Sequence, residues 1–226
     1  MKNALDLKPN VTIGGKYDGY LILDAWKEFQ SRQGPYGSID KQEKSVGQIK
    51  VTVEGIQVDY VKISSPAQVA GIQYLVEHSE IVKVSLLRGL LSMFPIWNEI
   101  YEEYLPDVSD IGKFKDVIGL SYLHVLSAEK DGFAYIGFEL GCTWDEEHGA
   151  GVLMHKDRVV EVGQADTSFN SWAAFDDNGT AETEQVKWEE ANARIALERQ
   201  SKGSKIKPWW KNSDCSSRSF ILSVRC

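Results

Sequence analysis

The sequence is poor in the residues that cross-link small secreted proteins. It contains three cysteines among 226 residues, Cys142, Cys215 and Cys226. An odd number of thiols cannot all pair within one chain, and two of the three lie in the last dozen residues. A disulfide framework is therefore not expected, and a reducing compartment, the cytoplasm, is the predicted location. A chain of this length can bury enough surface to fold without cross-links.

Long hydrophobic runs are also missing. The first ten residues, MKNALDLKPN, contain no apolar stretch of signal-peptide length. The most apolar region, residues 81–100, is interrupted by Lys83, Arg88 and Pro95. A membrane span needs about 20 mostly apolar residues, so this region is predicted to be a buried helix.

Basic residues are outnumbered, with 25 Lys and Arg against 33 Asp and Glu and a net charge of −8. This balance argues against nucleic-acid binding, which depends on neutralising phosphates with Lys and Arg. It favours a basic protein as partner, because complementary fields speed the encounter. Only the C-terminal tail, residues 202–226, is rich in basic residues, and it includes Trp209 and Trp210.

The order of hydrophobic patterns predicts an α+β fold. Residues 48–54 alternate between apolar and polar, and Glu54-Gly55 would turn the chain into a second strand at 58–61. Ser65-Pro66-Ala67-Gln68 is a capping box that starts a helix, and a second helical pattern follows that Pro95 should kink or divide. Four further strands are predicted at 120–126, 133–140, 151–155 and 158–162. The expected architecture is an antiparallel β-sheet with central helices inserted between an N-terminal and a C-terminal set of strands.

The chain is predicted to consist of one α+β domain, residues 1–176, followed by a C-terminal helix and basic, Trp-containing tail, residues 177–226. Asp176-Asp177-Asn178-Gly179 has the composition of a linker. Thr180 should cap the last helix, which should end near Ser201.

One segment combines residue types that can bind or react. Between two predicted strands, glycines flank a tryptophan, three acidic residues and a histidine. The acidic loop suits a basic protein partner, and aromatic side chains dominate interface energetics. The predicted contact surface consists of Trp144, Asp145, Glu146, Glu147 and His148, with Asp166 nearby.

Two catalytic alternatives use the same segment. In the first, His148, His155 and a carboxylate from Glu146, Glu147 or Asp166 bind zinc or manganese in a metal-dependent hydrolase. The spacing matches no established metal motif, and His155 is otherwise expected to be an exposed strand-end residue. In the second, Cys142 is a nucleophile with His148 as its base, but three adjacent acids disfavour a thiolate. The sequence thus favours a binding protein without a cofactor over an enzyme.

Three segments carry a family resemblance: YDGYLILDAWKEFQSRQGPYGS near the start, GFELGCTWDEEHGAGVLMHKDRVVEVGQADTSF, and the closing KPWW. Together they resemble a family of bacterial domains of unknown function that carries a GCTWDEEHG-G-V motif. The resemblance covers most of residues 17–170 and implies a small intracellular α+β protein. More loosely, the chain is similar to immunity-type proteins, which neutralise a toxin by occupying its active site.

Overall fold

The computed structural model describes residues 8–9, 16–31, 43–54 and 65–203. These residues fall into two compact units, the first ending at Ala181 and the second beginning at Glu182. The first unit confirms the predicted α+β class, with helices in the middle of the chain between two sets of strands. The predicted strand at 58–61 and the tryptophans of the tail lie outside the described residues.

A seven-stranded sheet forms the centre of the first unit, and its spatial order follows the chain order. Neighbouring strands are antiparallel except β3 and β4, which are parallel. Parallel neighbours need a long crossover connection, and the inserted helices supply it. The strands are β1 (Lys8–Pro9), β2 (Lys16–Ile22), β3 (Gln48–Glu54), β4 (Ile118–Lys130), β5 (Phe133–Cys142), β6 (Ala150–His155) and β7 (Arg158–Gly163).

Two helices occupy the crossover. Helix α1 (Pro66–Glu77) begins at the predicted capping box, in which the Ser65 side chain accepts from the Gln68 backbone and the Gln68 side chain accepts from the Ser65 backbone. Helix α2 (Ser79–Tyr101) continues through Pro95, so the predicted division at this proline is wrong. Pro95 is exposed, and the helix loses one backbone hydrogen bond there, because proline has no N–H to donate.

The side of the sheet that α1 and α2 cover, which we call the helix face, contains the main core. As predicted, Ile49, Val51 and Val53 of β3 are all buried there. Leu86 and Leu90 of α2 have no exposed surface. This face is apolar throughout because alternate residues of each strand point toward it.

The other side of the sheet, the opposite face, is covered in part by a 3₁₀ helix at Ala165–Phe169 and by helix α3 (Ser171–Asn178). The 3₁₀ helix approaches two glycines so closely that no side chain would fit. A Cβ at Gly137 would lie 1.5 Å from the carbonyl oxygen of Ser168, and one at Gly151 would lie 2.3 Å from that of Gln164. These glycines allow a backbone segment to lie directly on strands β5 and β6.

The predicted linker at 176–179 is instead the last turn of α3, which ends at Gly179 in a left-handed conformation. Asp177 in this turn is bound to the sheet. Its carboxylate accepts from both terminal nitrogens of Arg158 (2.9 and 2.6 Å), from Lys130 Nζ (3.1 Å) and from Tyr135 Oη (2.7 Å). The sequence pattern could not show that an acidic residue in a polar stretch would have three partners on distant strands.

In the second unit the structure describes helix α4 (Ala181–Gly203), close to the helix predicted after Thr180. Its apolar residues Val186, Trp188, Ile195 and Leu197 are exposed. No described helix of the protein is both long enough and apolar enough to cross a membrane.

Candidate functional site

The acidic segment singled out in the sequence forms the connection between β5 and β6, residues 143–149. Gly149 has φ of +66°, and a Cβ there would lie 2.6 Å from the Leu140 carbonyl oxygen. The Gly149 N–H donates to the Asp145 carbonyl at 2.8 Å. Glycine is therefore required at this position to close the reversal.

Asp145 is a buried residue of this connection, and its carboxylate has three neighbouring residues as partners. Its carboxylate accepts hydrogen bonds from Tyr101 Oη (2.8 Å), Gln164 Nε2 (3.1 Å) and the His148 backbone N–H (2.9 Å), and His148 Nδ1 lies 3.1 Å away. Burial by itself would raise the pKa of Asp145, but these hydrogen bonds outweigh it and hold that pKa below its ordinary value. Burial, followed by the hydrogen bond to Asp145 and its charge, raises the pKa of Tyr101 to about 12.

Trp144 is buried in an aromatic cluster, with 4% of its surface exposed. Its ring centroid lies 5.4 Å from that of Trp97 and 5.7 Å from that of Phe94, both on α2. Trp144 and Asp145, two residues of the predicted contact surface, therefore attach the connection to α2 rather than face solvent.

The remaining predicted contact residues are on the outside. Glu146, Glu147 and His148 are exposed, and so is Asp166. The Ala165 N–H donates to the His148 carbonyl at 3.1 Å, which brings the 3₁₀ helix that carries Asp166 next to the acidic segment. The structure thus brings these four side chains to one neighbourhood on the surface.

The C-terminal end of α2 adds acidic and apolar residues that the sequence reasoning missed. Trp97 and Tyr101 contact the acidic segment, while the residues between and beyond them point outward. Ile96, Ile100 and Tyr104 are 53%, 63% and 70% exposed, although residues 81–100 are predicted from the sequence to form a buried helix. We call the following set the acidic surface: Glu99, Glu102, Glu103, Glu146 and Glu147, with the exposed Ile96, Ile100 and Tyr104.

The two histidines of the metal hypothesis are engaged separately. His148 pairs with Asp145, whereas His155 is buried, with Nε2 2.8 Å from the Lys130 carbonyl and its ring 5.0 Å from that of Tyr135. His155 is therefore not the exposed strand-end residue that the sequence predicted. Within the described ranges, no group of three or more His, Cys, Asp and Glu side chains is arranged to hold a metal ion.

Cys142, the other catalytic candidate, is fully buried in the main core. Its thiol donates to the Asp145 carbonyl at 3.5 Å. A thiol enclosed in apolar surroundings is not accessible to a substrate, and burial disfavours its thiolate.

A second polar constellation lies on the opposite face, and the sequence reasoning did not find it. Thr52 Oγ1 is 2.8 Å from His124 Nδ1, and His124 Nε2 is 2.8 Å from Glu139 Oε2. The three residues come from β3, β4 and β5, so only the strand register brings them together. The one signal in the sequence is a histidine and a glutamate within two predicted strands, 120–126 and 133–140, that are mostly apolar.

The family model for a domain of unknown function, DUF6985, matches residues 22–169. The chain belongs to the DUF6985 family. The matched range runs from the end of β2 to the end of the 3₁₀ helix, so the DUF6985 domain contains both the acidic surface and the Thr52–His124–Glu139 constellation. It does not extend to α3 or α4. No curated protein and no solved structure matches the chain.

Proposed function

We propose that this DUF6985 protein is a binding module that docks a basic protein partner on the acidic surface. The observation that carries the proposal is that the end of α2 and the β5–β6 connection, joined by the Trp97–Trp144 and Tyr101–Asp145 contacts, both expose carboxylates, and that the same end of α2 exposes isoleucine side chains. Interfaces combine apolar contacts at the centre with charged residues that orient the partner.

The carboxylates of the acidic surface are free to face a partner. The ion pairs and side-chain hydrogen bonds of the described residues involve other acidic groups. No described cation neutralises these five glutamates, so their negative field extends into solvent.

Two features of the acidic surface are expected to lower the stability of the protein locally. The C-terminal end of a helix carries a partial negative charge, which favours cations, yet the last turn of α2 contains no basic residue. Glu102, which follows the helix, has φ of +46°, a conformation that suits glycine better. Residues that reduce stability locally are expected where a surface serves recognition.

The exposed side chains of Ile96 and Ile100 lie one helical turn apart and form an apolar strip at the end of α2, and the exposed Tyr104 lies in the 3₁₀ turn that follows the helix. A partner with basic residues flanking an apolar centre would match this strip and its acidic border. The hypothesis that such a partner is a toxin domain, with this protein as its immunity protein, stays a prediction about the partner.

The experiment compares two double variants with the same change in charge. Glu146→Lys with Glu147→Lys reverses part of the acidic surface. Glu129→Lys with Asp176→Lys reverses two exposed residues at the other end of β4, where the Asn178 side chain donates to the Glu129 carbonyl. Proteins of the native host are captured on immobilised wild type and on both variants, and each retained protein is purified and its association rate measured at low and high salt.

A basic protein should bind wild type and the Glu129/Asp176 control equally. Its association with the Glu146/Glu147 variant should be about tenfold slower or more, and high salt should slow the wild-type association. All three proteins should unfold within about 0.5 kcal/mol of each other, because the changed residues are exposed. Equal association of both variants, or a specific partner without basic character, would contradict the proposal.

A further inference from the structure

The Thr52–His124–Glu139 constellation is a directed chain of hydrogen bonds. In the tautomer that carries the proton on Nε2, His124 donates to the Glu139 carboxyl oxygen. Nδ1 is then an acceptor, and the Thr52 hydroxyl donates to it. A hydroxyl bonded to an imidazole that a carboxylate orients is the arrangement that activates a nucleophile.

Of the three residues, the one at the hydroxyl end of this chain of hydrogen bonds is the most exposed to solvent. His124 and Glu139 are 7% and 9% exposed, whereas Thr52 is only half-buried. The edge of the Phe169 ring packs against the His124 imidazole, with the ring centroids 5.2 Å apart. The imidazole and the carboxylate are thus largely screened from water, and Thr52 is the most exposed of the three residues.

Two side chains that can donate hydrogen bonds, Lys50 and Tyr122, lie on the same face of the sheet as the Thr52 hydroxyl. Lys50 precedes Thr52 by two residues on β3, so both side chains are on the opposite face about 7 Å apart along the strand. Lys50 Nζ is 3.2 Å from Tyr122 Oη and 5.0 Å from the centre of the Tyr122 ring. A charge and a phenol held in this way can stabilise negative charge that develops on a nearby oxygen.

Packing alone does not require these groups. A buried histidine and glutamate must be desolvated, and apolar side chains of similar size would fill the space without that penalty. The helix face of the same strands shows that the fold readily supplies apolar residues where they suffice.

We propose that the opposite face carries a second, catalytic site, in which Thr52 is the nucleophile in hydrolysis of carboxylic esters. The proposal is independent of the acidic surface, which shares no residue with this site. Thr52 and His124 are the catalytic residues, Lys50 and Tyr122 stabilise the oxyanion, and Glu139 is a positioning residue that acts through His124.

The reaction has two steps. Thr52 Oγ1 forms a bond to the ester carbonyl carbon while its proton passes to His124 Nδ1, and the ester C–O bond breaks as the alcohol leaves with that proton. Water then attacks the acyl-threonine and gives a proton to Nδ1. The bond to Oγ1 breaks, the carboxylic acid leaves, and Oγ1 recovers the proton from His124.

The test uses the full chain and an alkyl fluorophosphonate, a probe in which an activated hydroxyl displaces fluoride from phosphorus. Wild type and Thr52→Ser should gain the mass of the phosphonyl group on residue 52, located by peptide mass spectrometry. Thr52→Val keeps the shape of the side chain but lacks the hydroxyl, so it should not be labelled. His124→Gln should be labelled at least about 100-fold more slowly.

Hydrolysis of 4-nitrophenyl acetate by the same proteins should follow the labelling. Absence of label on folded wild type, under conditions that label a serine esterase completely, would overturn the proposal. So would a label or an ester hydrolysis rate that persists unchanged in Thr52→Val. If the melting temperature shows that His124→Gln is unfolded, the comparison of Thr52→Val with Thr52→Ser decides the outcome.

Glu139→Gln and Glu139→Leu test the positioning role by rescue with the conservative variant. A glutamine side chain can still accept from His124 Nε2 through its amide oxygen, whereas leucine has no acceptor. Glu139→Gln should therefore be labelled faster than Glu139→Leu, with the melting temperatures showing that both variants are folded. Labelling of Glu139→Leu at the wild-type rate would remove Glu139 from the mechanism.

Discussion

The two faces of the central sheet are made by the same strands but stabilised differently. On the helix face, aliphatic and aromatic side chains of the sheet and of α1 and α2 form one large apolar core. On the opposite face, the apolar cluster is small, consisting of Leu126, Ala128, Tyr135, Leu153 and Ala174. Hydrogen bonds, ion pairs and close backbone contacts occupy the rest. One face therefore provides most of the apolar burial, while the other holds polar side chains that are hydrogen-bonded to one another.

The largest expected effect comes from opening a cavity on the helix face. Leu86 is completely buried, so Leu86→Ala should lower the free energy of unfolding by about 2–5 kcal/mol in urea titrations. Val69→Ala on α1 is the control, because 45% of the Val69 surface is exposed. Its effect should stay within about 0.5 kcal/mol. Similar losses for both variants would mean that the helix face is not the main core.

A smaller effect is expected where a backbone segment lies on the opposite face. In Gly137→Ala the added methyl group would overlap the Ser168 carbonyl, so the 3₁₀ helix must move away from β5. Overpacking of this kind typically costs about 1–3 kcal/mol. Thermal unfolding measures the loss, and hydrogen exchange of the 3₁₀ helix amides should rise more than that of α2. Uniform protection in both elements would contradict the separate roles of the two faces.

The ion pairs of Asp177 on the opposite face should make the free energy of unfolding depend on pH. Hydrogen bonds from Arg158, Tyr135 and Lys130 outweigh the desolvation of Asp177 and hold the pKa of that carboxyl well below its ordinary value. A group whose pKa is lower in the folded state stabilises the protein above the unfolded pKa, about 3.9 for Asp, and this contribution is lost as pH falls through the folded value.

Asp177→Asn should therefore cost about 1.5–3 kcal/mol at pH 7 and progressively less below pH 4. Urea unfolding at both pH values measures the difference. The exposed neighbour Asp176 is the control, and Asp176→Asn should change the stability by less than about 0.5 kcal/mol at either pH. A loss for Asp177→Asn that is equally large at pH 3 would show that its packing, and not its charge, is what matters.

Local patterns were sufficient for much of the fold. The structure places three features close to their predicted positions: the alternation of β3, the capping box at Ser65 and the four strands after residue 117. Each of them depends on neighbours a few residues away.

The candidate site was less predictable than the fold. The exposed carboxylates of the acidic segment follow from its composition, but the interior positions of Trp144 and Asp145 depend on Trp97 and Tyr101, more than 40 residues earlier.

The sequence by itself determined the α+β class, the main elements and the acidic character of the chain, since hydrophobic period, capping residues and net charge are properties of short segments or of composition. The tertiary structure alone decided which polar residues meet. Thr52, His124 and Glu139 lie on β3, β4 and β5, and the partners of Asp177 lie on β4, β5 and β7, so these contacts exist only in one strand register. A shift of one residue would turn each side chain to the other face, and no local pattern records that choice.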